Sequence, residues 1–285
     1  MMECRGLFKN FFLKKELRVL LLKKLRIMGL LQKINHNYGG YARELATNLA
    51  ASVQNTKKHS QKFILFGRGR TGSTLLTDLL NSSNEVACDK EVFNRPVAFP
   101  QTYLKSREKL FHKPVYGFKL LSYQLRNFLQ PDDPHEFLHY LSEDLGYKII
   151  FLRRENILRQ ILSKHYAVHR NAWHDKGNSK HRPKMKVNTN ELITHLQEGQ
   201  ILERYEEEAL SGLDYLTITY ENDLNSIETQ KETIARVREY LGLEHFEANT
   251  DLRKITASKL EDFIENMEEL REALKGSRYR DMVES

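Results

Sequence analysis

The sequence predicts an α/β fold whose mainly parallel sheet is covered by helices on both faces. Short apolar runs suited to buried strands recur along the chain. Helical periodicity fills most of the intervals, and a glycine-rich turn joins the first run to its helix. The 285 residues leave room for one large domain of this class or two ordinary ones. With 40% hydrophobic and 29% charged residues, 14 glycines and 6 prolines, a collagen, a low-complexity chain and a polytopic membrane protein are excluded.

In chain order, the first element is a basic helical extension. Residues 1–26 hold eight basic side chains against Glu3 and Glu16, so most of the formal +7 sits there and the remainder is nearly neutral. This distribution speaks against a nucleic-acid-coating protein. The longest uncharged apolar run in the arm, Val19-Leu20-Leu21-Leu22, is too short for a membrane span or a secretory signal. Lysine and arginine interleaved with leucine and phenylalanine suit an amphipathic segment, taken as residues 1–31, on an anionic membrane surface, or equally a helix whose apolar stripe packs on the body. Asn35 to Gln61 reads as a connector containing one more helix, which sets an extension over 1–60 apart from a domain over 61–285. Cys4 and Cys88 cannot build a disulfide framework, and a reducing, cytoplasmic setting is expected, with the arm peripheral on the inner membrane face.

Phe63–Phe66 is the first strand, followed by the glycine turn and a helix to about Asn81. Val115–Leu121, Tyr147–Leu152 and Asp214–Thr219 are further strands, and helices are expected near 156–169, 191–210, 228–241 and 260–274. In such sheets ligands bind beyond the carboxyl ends of the strands.

The turn reads Phe66-Gly67-Arg68-Gly69-Arg70-Thr71-Gly72-Ser73-Thr74. Gly67, Gly69 and Gly72 match G-x-G-x-x-G, with Asp89 and Glu91 about twenty residues on, as in a dinucleotide site. The same stretch matches a P-loop with Ser73 in place of the lysine. Both patterns aim backbone N–H groups and a helix N-terminus at an anion, and the two arginines and three hydroxyls call for one. Two arginines would crowd a pyrophosphate approaching through glycines, and a P-loop kinase needs its lysine on the β/γ-phosphates. What remains is a P-loop-like turn that holds a phosphate with backbone, hydroxyls and Arg70.

Arg70-Thr71-Gly72-Ser73-Thr74 after a strand resembles the 5′-phosphosulfate loop of sulfotransferases that use 3′-phosphoadenosine 5′-phosphosulfate (PAPS), in the form found in bacterial trehalose-type, nodulation-factor and carbohydrate enzymes. Arg154 and Ser163, after the strand ending at Leu152, resemble the family's 3′-phosphate element. Tyr220-Glu221-Asn222-Asp223-Leu224 is similar to its Tyr-Glu-Asp-Leu turn with one residue inserted. The resemblance implies PAPS as donor, bound through Arg70, Thr71, Gly72, Ser73, Thr74, Arg154 and Ser163, and sulfuryl transfer to a hydroxyl of a carbohydrate or a lipid-linked sugar acceptor. Glu91, in a segment similar to Glu-Phe-Phe, takes the place of the general base, with a surface ion pair to Arg95 as the alternative. Lys119 corresponds to a strand lysine near the bridging oxygen or the acceptor, with snorkelling to solvent as its alternative. Asp89, beside Lys90, reads as a solvated turn acid.

His165 and His169 lie one helical turn apart, with His174 and His181 beyond, but without H-E-x-x-H or nearby cysteines no metal is expected. The basic loop Arg170–Asn188, with Trp173 able to stack on a sugar ring, is the expected acceptor-binding segment, with a disordered solvated insertion as its alternative. The competing readings are a P-loop nucleotide or small-molecule kinase and a membrane-associated nucleotide-binding module without catalysis.

Overall fold

The computed structural model describes residues 31–54, 59–131, 133–173, 183–252, 256 and 259–284, with side chains from residue 39 onward. The basic arm over 1–26, and the histidines at 174 and 181 in the 170–188 loop, lie outside the described residues.

Five strands form one sheet: β1 (Gln61–Gly67), β2 (Val86–Glu91), β3 (Val115–Leu121), β4 (Tyr147–Arg153) and β5 (Tyr215–Thr219), in the order β2-β3-β1-β4-β5. Every pairing is parallel. Parallel strands covered on both faces need near-continuous apolar runs, and β3 is buried at all seven positions. The chain leaves β1 for one side of the sheet through β2 and β3 and for the other through β4 and β5. The crevice at the carboxyl end of β1 is therefore the switch point at which such sheets bind ligands.

Alternation along β1 feeds two cores. Ile64 and Phe66 pack with Tyr103, Leu104, Leu138 and Leu210, from α3 (Pro100–Lys109), α4 (Pro134–His139) and α6 (Thr189–Leu210). Phe63 and Leu65 face the other way, onto Leu76 and Leu80 of α2 (Ser73–Asn81) and Val237 and Leu241 of α7 (Ile227–Leu241). Each such side chain contributes about 1.5–3 kcal/mol by leaving water. A third cluster joins α5 (Ile157–His169) and α6 to α8 (Met267–Leu274). The first described helix, α1 (Leu31–Ser52), lies against α3: Glu44 accepts from the Ala98 and Phe99 amides at 2.7 Å each, and Arg43 donates to Val92 O at 2.9 Å.

Two differences from the sequence reading stand out. β2 carries no strand signal in the sequence, because Val-Ala-Cys-Asp-Lys-Glu has its apolar residues only in its first half; as an edge strand it needs no more. The helix expected over 260–274 is broken into a 3₁₀ turn, Leu260–Asp262, and α8. Between them Ile264 bridges to Met185, and Asn266 exchanges hydrogen bonds with the Val187 backbone at 2.8 and 2.9 Å, so the chain leaves helical geometry to pair with another segment.

Candidate active site

The turn between β1 and α2 is held in a conformation that two glycines make possible. Gly67 has φ 143°, and a Cβ there would sit 2.1 Å from the Leu152 carbonyl oxygen; Gly72 has φ 84°, and its Cβ would reach Leu224 at 2.6 Å and Tyr220 at 3.0 Å. Arg70 adopts φ 67°, rare for a side chain of its size. Buried Thr71 donates to Arg68 O at 2.8 Å and closes the turn, a structural role beside any ligand role. Ser73 opens α2, and no side chain caps its first amides, leaving the helix N-terminus to other acceptors.

The two arginines of the turn part company. Arg68 is buried and points into the protein, with Nε 3.1 Å from Glu206 and Nη2 3.6 Å from Glu203 on α6, so the expectation that both arginines meet an anion holds at most for Arg70. Desolvation pushes the Glu206 carboxyl up to about 7 despite Arg68 and a hydrogen bond from Ser122. Arg70 lies across the mouth of the turn and donates to Ser163 Oγ from Nε and Nη2 at 3.2 and 3.1 Å and to the Trp173 carbonyl at 3.1 Å. Burial, then the nearby charge of Arg154, lowers its pKa to about 10.

Lys119 brings an amine to the turn, where position 73 has only a hydroxyl. It is buried on β3, not snorkelling, and its Nζ donates to Thr74 Oγ1 at 3.0 Å and lies 3.4 Å from Glu91 Oε1. Burial pulls its pKa down, which the Glu91 charge partly offsets. The sheet makes this pair through an irregularity: Asp89 is opposite Phe118 and Glu91 opposite Lys119, so Lys90 is an extra residue. Such a bulge re-aims the side chains that follow it and brings Glu91 beside Lys119. Glu91 pairs with Lys119, and its other oxygen accepts from Gln124 at 2.8 Å with Tyr123 OH at 3.5 Å. Asp89 is not a solvated turn acid, since Arg107 Nε binds it at 2.9 Å. Cys88 beside it is buried, its thiol pushed up to about 12 by desolvation, and is unreactive.

From the other side β4 delivers Arg154, whose Nη1 donates to Arg70 O at 3.3 Å and Nε to Glu221 at 3.3 Å, with the guanidinium 4.5 Å over the Tyr220 ring. Glu221 also accepts from the Glu155 and Asn156 amides at 3.0 and 3.3 Å, so the turn after β5 orients the turn after β4. Gln160 Nε2 donates to Gly69 O at 2.7 Å, while its buried Oε1 has no partner. The sequence reading missed Gln124, Tyr123 and Gln160, which no local motif marks.

Six of the sequence-derived site residues thus meet at the carboxyl end of the sheet, in two groups on either side of the turn, while Thr71 is turned inward to Arg68 O. Thr74, Lys119 and Glu91 lie on the β3 side, and Arg70, Ser163 and Arg154 on the β4 side. Three cations with hydroxyls and free helix amides form a donor set for a ligand carrying several negative charges, and a carboxylate at its edge can accept a proton.

No family model and no curated protein matches the sequence. Among solved structures the chain is similar to a sulfotransferase from Alicyclobacillus acidocaldarius, with TM-score 0.47 and 11% identity over 80% of this chain and 97% of that one. It is similar to mouse sulfotransferase SULT7A1 complexed with PAP, with TM-score 0.46 and 10% identity over 84% and 91%. It is also similar to shikimate kinase from Bacteroides thetaiotaomicron, with TM-score 0.37 and 13% identity over 64% and 99%.

Proposed function

We propose that this chain is a sulfotransferase that moves a sulfuryl group from PAPS to a hydroxyl of a carbohydrate or glycolipid. The observation that carries the reading is the replacement of the P-loop lysine by Ser73 while Lys119 reaches Thr74 from β3, beside a carboxylate, with Arg70 and Arg154 across the turn. PAPS fits this donor set: a 5′-phosphosulfate suits the α2 amides, Ser73, Thr74 and Arg70, and a 3′-phosphate suits Arg154 and Ser163.

PAPS supplies an activated sulfuryl group with a good leaving phosphate. The protein's part is positioning and charge stabilisation. Lys119, near the bridging oxygen or the acceptor, and Arg70 would stabilise the negative charge that builds in transfer, a role supported by their contacts at the turn. Glu91, oriented by Gln124 and Lys119, takes the proton of the attacking hydroxyl, a contribution of about 10²–10⁴. A sugar acceptor is supported by the Arg170–Asn188 loop, which starts beside half-exposed Trp173, whose carbonyl Arg70 holds. Membrane attachment through residues 1–31 would bring a lipid-linked acceptor within reach.

A thermal-shift panel of 3′,5′-ADP, ADP, ATP with Mg²⁺, and NAD tests the donor. At 100 times its Kd the true ligand adds about 2.7 kcal/mol, and 3′,5′-ADP is expected to give the largest shift. A larger shift with Mg²⁺–ATP, accompanied by ATP turnover, would overturn the reading in favour of a kinase.

A further inference from the structure

We propose that His165, Glu191 and His195 form a binding site for a borderline divalent transition ion of the zinc type, fastening α5 to α6. One donor atom from each of the three side chains lies within 4.8 Å of the others, and His165 Nε2 is 2.7 Å from His195 Nδ1. At that distance the two ring nitrogens can share only one hydrogen, so one of them is an unprotonated acceptor, the form in which an imidazole can also bind a metal.

The sequence pattern explains the convergence. Glu191 and His195 are four residues apart in the first turns of α6 and so share one helix face. His165 comes from α5, which packs on α6 through Leu158, Ile161, Leu192 and Leu196. It lies two positions beyond Ser163, about 200° around the helix, and so faces away from the Arg70 cluster. The site therefore does not depend on the sulfuryl-transfer reading. Two imidazoles and one carboxylate are ligands that zinc accepts at about 2.0–2.2 Å. Around a tetrahedral ion those bonds put ligand atoms about 3.3 Å apart. The ring pair, at 2.7 Å, has to open slightly to reach that spacing. Partial exposure leaves the fourth position to water. His169, the partner suggested by sequence spacing, is not part of the group.

The ion would clamp the two helices on either side of the Arg170–Asn188 loop and fix its base. The experiment titrates ZnCl₂ into the tag-free full chain after chelator dialysis, by calorimetry, and records the visible spectrum of the Co²⁺ form. The expected result is one equivalent of zinc, tetrahedral Co²⁺ bands, and affinity at least about tenfold weaker in His195→Ala and in Glu191→Gln, with His169→Ala unchanged. Glu191 is exposed, so its variant keeps the test valid should a histidine variant fail to fold. Well under one equivalent in the unmodified chain, or undiminished binding in Glu191→Gln and His195→Ala, would overturn the site.

Discussion

Glu91 and Lys119 form one hydrogen-bonded unit, but their partners differ, and so should the effects of changing residues around them. Glu91→Gln keeps the side-chain shape and its place beside Gln124 and loses only the ability to take a proton. Its Kd for 3′,5′-ADP is expected to stay within about twofold while kcat falls by about 10² or more. Arg70→Ala should damage both quantities, because Arg70 faces the mouth of the turn. Ser163 accepts two hydrogen bonds from Arg70, and because it is a proposed partner of the 3′-phosphate, Ser163→Ala should weaken 3′,5′-ADP more than 5′-AMP. Arg154→Ala should weaken 3′,5′-ADP at least tenfold more than 5′-AMP, the usual worth of a charge-assisted hydrogen bond. Equal losses for the two nucleotides in a titration would remove Arg154 from the 3′-phosphate. The sequence marks Arg70, Arg154 and Ser163 because each follows a strand in a recognisable pattern. It does not mark the inward turn of Arg68, since two arginines flanking one glycine look alike until α6 brings Glu203 and Glu206 to one of them.

At the scale of elements, α6 connects the turn to the rest of the molecule through one buried carboxyl. Glu206 ionises near 4.5 when unfolded but only at about 7 in the folded chain, chiefly through desolvation. As pH rises between those values the unfolded chain gives up a proton that the folded chain keeps, so stability falls across this window and levels off above it. At about 1.4 kcal/mol per pH unit the full loss comes to roughly 3 to 4 kcal/mol. Urea unfolding at pH 5, 6 and 7 should show the decline in the parent chain and a flatter profile in Glu206→Gln; parallel profiles would mean the group titrates elsewhere. Strands with strong apolar runs, such as β1 and β3, were legible in advance. β2 was not, because an edge strand with a bulge and three charged residues lacks the periodicity that identifies a strand, and the bulge that sets Glu91 beside Lys119 depends on pairing with β3.

For the whole molecule, no helix among the described residues is long and apolar enough to cross a membrane. Leu45, Leu49 and Val53 are exposed at intervals of four, an apolar stripe that runs along α1 and just beyond its end. The proposed peripheral attachment would draw on this stripe and on the basic residues over 1–26, each worth about 1 kcal/mol near an anionic surface. A chain beginning at Leu31 should stay folded, bind 3′,5′-ADP and no longer sediment with phosphatidylserine vesicles. The full chain should keep part of its binding at high salt, because insertion is not screened. If the shortened chain aggregates or fails to bind nucleotide, the arm belongs to the core instead. The site itself draws on the carboxyl end of every strand: Arg70 after β1, Glu91 on β2, Lys119 on β3, Arg154 after β4 and Glu221 after β5. These residues span some 150 positions of sequence, so no partly assembled sheet contains the whole set, and parallel pairings of this range form slowly. Nucleotide present during refolding is therefore expected to leave the folding rate unchanged and to slow unfolding in proportion to its occupancy, which makes its capture a kinetic marker for the arrival of the last strand.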